Sequence, residues 1–167
     1  MRDEQWRSSQ TTRLDGSSLL VLDLDHTLVH TVDSSVHSTA GRSFAIGSDL
    51  RTYVRPHVHA FFRALHRHGI PYAVWTAGTE DYAASIVSVL RRGGPFRPRF
   101  VWNRAQTTGP ECVKDLSKVP GYPKVLLVDD STHHLRLHAN HGRVLIVPPF
   151  TVTTTGDSFF RTLQRQL

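Results

Sequence analysis

The sequence predicts an α/β fold with a central parallel sheet, helices on both of its faces, and one domain at residues 18–167. Three observations carry this. Apolar runs of strand length alternate with stretches of helical periodicity. The runs at 19–22 and 125–128 are continuously apolar rather than alternating, as in strands covered on both faces. Of the 167 residues, 39% are hydrophobic and 20% charged, which suits a chain that builds a core.

Residues 1–17 are polar, with Arg beside Asp and Glu. They read as a flexible N-terminal segment, neither a signal nor a transit peptide. The first strand starts at Ser18 and runs through Leu24. Residues 30–49, rich in Ser, Thr, Gly and Asp, read as a long loop with one short strand at 43–46; another short strand follows at 51–54. Pro56 suits the first turn of a helix. In that helix Val58, Phe61, Phe62 and Leu65 recur at i, i+3, i+4, i+7, and Gly69 ends it. The segment 71–75 is a buried strand. Thr79 caps a second helix with Glu80 and Asp81 in its first turn, where the helix dipole favours acids. Its stripe is Ala83, Ile86, Val87 and Leu90, and Arg91, Arg92 and Gly93 stop it. Strands at 99–102, 124–129 and 144–147 complete the sheet. A short helix at 131–140 separates the last two, and a terminal helix runs from Asp157 to Gln166.

Several classes are excluded. No apolar run approaches the ~20 residues of a membrane span. The single cysteine, Cys112, allows neither an internal disulfide framework nor a multi-cysteine zinc site. The net charge is +6, from 20 basic and 14 acidic residues. No run of five basic residues occurs, and no aromatics interleave with them for base stacking. The charge therefore reads as attraction for an anionic substrate before nucleic acid. The expectation is a monomer without membrane contact, in the cytoplasm or nucleus.

The chemistry gathers where strands meet acids. Ligands of open parallel sheets bind beyond the carboxyl ends of the strands. One strand runs into Asp23-Leu-Asp25-His-Thr27, another into Asp129-Asp130-Ser131, and a third into Thr76-Ala-Gly78. Asp23 and Asp25, two apart, point the same way on an extended chain. A neighbouring strand adds Asp129 or Asp130. Clustered carboxylates repel unless a cation lies among them, and hard oxygen ligands without thiolates favour Mg²⁺, whose usual companion is phosphate. One Asp then attacks phosphorus while another protonates the leaving oxygen and later activates water. Thr76, through its hydroxyl and its N–H, binds phosphate oxygens. Lys114 offsets the transition-state charge.

These residues resemble a known family. Asp23-Leu-Asp-His-Thr-Leu-Val29, Trp75-Thr-Ala77, Val113-Lys-Asp-Leu-Ser117 and Val128-Asp-Asp-Ser131 look like the four motifs of the haloacid dehalogenase superfamily. More narrowly they resemble its small-phosphatase branch, which acts on the C-terminal domain of RNA polymerase II. Tyr53-Val-Arg-Pro56, Tyr82-Ala83 and Val147-Pro148 extend the likeness over residues 19–150. The resemblance implies a three-layer Rossmann-like fold with a small insertion and no large cap domain. It implies a Mg²⁺-dependent phosphatase for phosphoserine and phosphothreonine in a protein or peptide, working through an aspartyl-phosphate. By motif, Asp23 is the nucleophile and Asp25 the general acid/base. Thr76, Ala77 and Lys114 hold the phosphoryl group, and Arg104 faces the substrate. The metal set is Asp23, Asp25 through its carbonyl, and Asp130, with Asp129 beside them orienting Lys114 or a metal-bound water. His26 stands where the branch usually has Glu, and Asp130 where relatives often have Asn. The segment 99–113, part of a substrate insertion in that branch, lacks its aromatics.

Two alternatives accompany this reading. One keeps the fold but acts on nucleic-acid 3′-phosphates or small phosphate esters. The other is a non-catalytic binding module, opposed by the intact motif set. The clustered histidines, His134 and His138 at i, i+4 among them, lack a completing Glu or Cys and read as polar surface. Cys112 reads as a bystander thiol.

Overall fold

The computed structural model describes residues 14–167; most of the expected N-terminal segment lies outside the described residues. Strands β1 (Ser18–Leu22), β2 (Val29–Asp33), β3 (Arg42–Ile46) and β4 (Leu50–Val54) precede helix α1 (Val58–Arg67). Then come β5 (Tyr72–Trp75), α2 (Glu80–Gly93), β6 (Val101–Trp102), β7 (Lys124–Asp129), β8 (Val144–Ile146) and α3 (Phe159–Gln164).

Five strands form the expected parallel sheet in the order β6-β5-β1-β7-β8. β1 lies at its centre, every residue buried, which explains the unbroken apolar run. Leu20 and Leu22 join the larger core cluster with Phe61 and Phe62 of α1, Ile86 of α2 and Phe160 of α3. Leu19 and Val21 join a smaller cluster with Leu116 and Val119. The layers are therefore unequal. All three α-helices among the described residues feed one cluster, while the other is closed partly by a 3₁₀ turn, Leu116–Lys118.

The other strands make a separate antiparallel sheet, β2-β4-β3. The sequence predicts a loop where β2 forms. Only Val29 of its five residues is buried, so β2 lacks the apolar signature and is held by its pairing with β4. This sheet lies between β1 and α1, whereas residues 99–113, matched to part of a substrate insertion, carry only β6 and a 3₁₀ turn, Arg104–Gln106.

Several boundaries also differ. α1 starts at Val58, not Pro56, behind His57 in the left-handed region (φ 67°) with no side-chain cap. Gly69 (φ 64°) ends it as expected. Thr79 caps α2, accepting the Tyr82 N–H at 3.4 Å. β6 keeps only the two residues that pair with β5. Instead of one helix at 131–140, two 3₁₀ turns form, His133–Arg136 and His138–Asn140, broken by the extended Leu137 (ψ 122°). At the terminal helix, Asp157 lies one residue before the cap, accepting from Phe159 N–H at 3.2 Å and pairing with buried Arg55 at 2.8 Å.

Candidate active site

β1 stops one residue before Asp23, whose N–H bonds Val128 O at 3.0 Å. The chain then folds tightly. The Leu24 carbonyl accepts N–H groups from Thr27, Leu28 and Val29, and His26 takes the left-handed region at φ 62°. Asp23 and Asp25 are thus placed by a turn rather than by one face of a strand. Asp23 is 7% exposed, and Thr27 Oγ1 donates to its Oδ2 at 3.1 Å.

Lys114 is the centre of the cluster. It is 1% exposed, and its Nζ lies 2.6 Å from both Asp23 Oδ1 and Asp129 Oδ2. Burial alone would depress its ammonium, but the Asp23 and Asp129 charges outweigh this and its pKa stands raised. The two carboxylates diverge. Burial, reinforced by the Asp129 and Asp25 charges, pushes Asp23 up to about 7 despite Lys114. Burial opposes ionisation of Asp129 too, yet Lys114 and a hydrogen bond from His134 hold it at about 2. Asp130 is raised by its own burial and by Asp129. One ammonium meets two carboxylates with Asp130 close by, and the ionised forms of Asp23 and Asp130 are both disfavoured.

Asp25 is half-buried and hydrogen-bonds the hydroxyl of Tyr82, which also lies 3.0 Å from Thr31 Oγ1. Burial and the Asp25 carboxylate push the Tyr82 phenol far above its usual range, so it stays protonated and donates. Thr31 pairs with Thr52 across β2 and β4 at 2.9 Å. The antiparallel sheet therefore helps to build the site.

Thr76 follows β5, buried, its Oγ1 accepting the Gly78 N–H at 3.0 Å. Its own N–H is taken by Trp102 O at 3.0 Å, which corrects the expectation that it would bind phosphate. The hydroxyl remains, beside the Ala77 N–H, which has no acceptor among the described residues. Arg104 is exposed but tied to this loop, donating from Nε to Ala77 O at 2.8 Å.

Tyr82, Thr27 and His134 were missed as site residues. Nothing local in sequence links Tyr82 or His134 to an acid 57 or 5 positions away. His134 is buried, not surface.

Asp23, Asp129 and Asp130 each offer a carboxylate oxygen within 4.8 Å of the others. Both oxygens of Asp129 already accept protein donors, Ser131 N–H at 2.9 Å and the Lys114–His134 pair. Hard donors and surplus negative charge fit a small divalent cation. A separate open recess of about 230 Å³, with Arg42, His57, His59 and Arg63 in its lining, includes none of these residues.

A parallel sheet thus brings acids, a threonine loop and a buried lysine together at one edge, as the motif resemblance implies. The model of the NLI interacting factor-like phosphatase family matches residues 18–167, and the chain belongs to that family. The human CTD small phosphatase-like protein is 35% identical over 144 residues, covering 80% of this chain and 50% of that protein. Human carboxy-terminal domain RNA polymerase II polypeptide A small phosphatase 1 is 31% identical over 133 residues, 74% of this chain and 49% of that one. The chain thus spans about half the length of the curated relatives it matches. Among solved structures, fission yeast Fcp1, an RNA polymerase II CTD phosphatase bound to beryllium fluoride, shares the fold at TM-score 0.59 and 21% identity, over 86% of this chain and 43% of that one. A further Fcp1 structure aligns at TM-score 0.60 and 21% identity, over 96% and 48%. No helix among the described residues is long and apolar enough to cross a membrane.

Proposed function

We propose that this protein is a Mg²⁺-dependent phosphatase that hydrolyses phosphoserine and phosphothreonine in a protein or peptide, through an aspartyl-phosphate on Asp23. One observation carries the reading: the buried Lys114 ammonium sits 2.6 Å from Asp23, with Asp25 hydrogen-bonded to Tyr82 nearby. A nucleophile, a charge-offsetting cation and a separate acid/base are then at hand.

Asp23 and Asp130 would hold the metal, with the Asp25 carbonyl; Asp129 orients Lys114. When bound, Mg²⁺ supplies positive charge to the carboxylates and the phosphoryl oxygens. An Asp23 oxygen attacks phosphorus as the phosphorus–oxygen bond to the serine breaks, and the Asp25 carboxyl gives its proton to the departing alkoxide. Asp25 then takes a proton from water, the water oxygen attacks phosphorus, and Asp23 leaves as carboxylate with inorganic phosphate. Lys114, the Thr76 hydroxyl and the Ala77 N–H hold the phosphoryl oxygens, and Arg104 meets the substrate beside them. No cap domain covers this edge among the described residues, which suits a macromolecular substrate. The names of the relatives support the polymerase tail as substrate.

The test is Mg²⁺-dependent hydrolysis of p-nitrophenyl phosphate, abolished in Asp23→Asn. Phosphoserine peptides of the polymerase tail are expected to exceed a 3′-phosphorylated oligonucleotide in kcat/KM at physiological salt. The reverse order would replace the protein substrate with nucleic acid, and an inert wild-type chain would leave a binding module.

A further inference from the structure

Behind the reacting acids lies a layer of buried polar side chains, and the inference drawn from it rests on the phosphatase reading. His134 is 1% exposed. Its Nδ1 accepts the main-chain N–H of Lys114 at 3.1 Å, so Nδ1 carries no proton. The ring proton therefore sits on Nε2, which donates to Asp129 Oδ2 at 3.0 Å. That same oxygen receives Lys114 Nζ at 2.6 Å. The imidazole closes a loop, from the Lys114 main chain through the Asp129 carboxylate back to the Lys114 ammonium. Asn140, fully buried, braces it. Its Nδ2 donates to the carbonyls of Lys114 and His134 at 2.7 Å each, and its Oδ1 accepts the Leu116 N–H at 3.0 Å.

We propose that His134 is a positioning residue for phosphoryl transfer: its ring, accepting at Nδ1 and donating at Nε2, ties the Lys114 main chain to Asp129 and so sets where the ammonium meets the phosphoryl group on Asp23. A lysine head is a point charge on a flexible stem and needs anchors at both ends. An apolar side chain of similar volume would fill the space, yet leave the Lys114 N–H unpaired and remove a donor from Asp129. The ammonium would then drift, and a shift of about 1 Å at a reacting centre costs on the order of 10²-fold in rate.

His134→Leu and His134→Gln in the full chain test this. The readouts are kcat and KM for p-nitrophenyl phosphate and the inhibition constant of orthovanadate, a mimic of the five-coordinate phosphoryl centre. His134→Leu is expected to lower kcat about 10- to 100-fold, with KM within about threefold, and to weaken vanadate in step with kcat. His134→Gln, whose amide carries one acceptor and one donor, recovers part of both. A role in packing alone would reduce the amount of active enzyme and leave the vanadate constant unchanged; that result overturns the proposal. Should His134→Leu fail to fold, the wild type decides. Long-range ¹H–¹⁵N spectra of the ring are expected to show the Nε2–H form, and an Nδ1–H or doubly protonated ring overturns the proposal. A wild type that neither hydrolyses phosphomonoesters nor binds vanadate refutes the phosphatase reading itself, and the proposal with it.

Discussion

Lys114→Met separates the electrostatic work of the lysine from its volume. Methionine fills nearly the same space with an adaptable apolar chain, so the cavity contribution is small. What is lost is the ammonium 2.6 Å from both Asp23 and Asp129, carboxylates 7% and 2% exposed. Removing one partner of a buried ion pair leaves uncompensated charge and costs about 3–5 kcal/mol. At about 2–4 °C per kcal/mol for a domain of this size, Tm falls by about 6–20 °C. Asp23→Asn is the contrasting change. It removes a carboxylate whose ionised form the site disfavours and keeps the Lys114–Asp129 pair, so its stability stays within about 1 kcal/mol of wild type.

The assay is urea unfolding of both variants with chelator and with Mg²⁺. Both variants are expected to be inactive, and the stability gained on adding Mg²⁺ is expected to be larger in Lys114→Met than in wild type. Equal stability of Lys114→Met and wild type in chelator, or an equal loss in Asp23→Asn, would refute the charge balance assigned to the cluster.

Two further predictions follow from the same geometry. Tyr82→Phe strips Asp25 of its phenol donor, and a hydrogen bond to a charged group is worth about 1.5–3 kcal/mol. The expected result is a fall in kcat of about tenfold or more on a phosphoserine peptide, and a smaller fall on p-nitrophenyl phosphate, whose leaving group needs less protonation; an equal fall on both would break the link to Asp25. The second concerns pH. The folded, metal-free protein holds a proton on Asp23 up to about 7, above the ordinary carboxylate value of 3.8, so this group's contribution to stability is present below 3.8 and lost as pH rises to about 7. His30, His59, His66 and His133 are lowered by burial and act in the opposite sense. Mg²⁺ affinity separates them, because the metal needs Asp23 ionised. Affinity is expected to weaken as pH falls from ~8 to ~5.5, with proton release on binding, and calorimetry in buffers of different ionisation enthalpy measures it. An affinity independent of pH over that range would rule Asp23 out as the proton carrier.

The sequence showed the site's acids more readily than their supports, and the reason is physical. Asp23 and Asp129 break strand propensity at the carboxyl end of an apolar run, and Gly78 does so just past Thr76, so each leaves a mark within a few residues of itself. The parallel sheet was legible for the same reason, since β1, β5 and β7 are buried nearly throughout. β2 left no such mark, because Thr31 and Asp33 meet partners only after β4 has paired with them. His134 is the sharpest case. Its i, i+4 spacing with His138 suggested one exposed helical face, yet Leu137 is extended between two 3₁₀ turns, and the face does not exist. The ring is instead drawn inward by an N–H 20 residues earlier and a carboxylate five earlier, while His138 stays exposed. A buried histidine and a surface histidine are the same letter at the same spacing. Only the hydrogen-bonding needs of the buried Lys114 main chain and of Asp129 tell them apart.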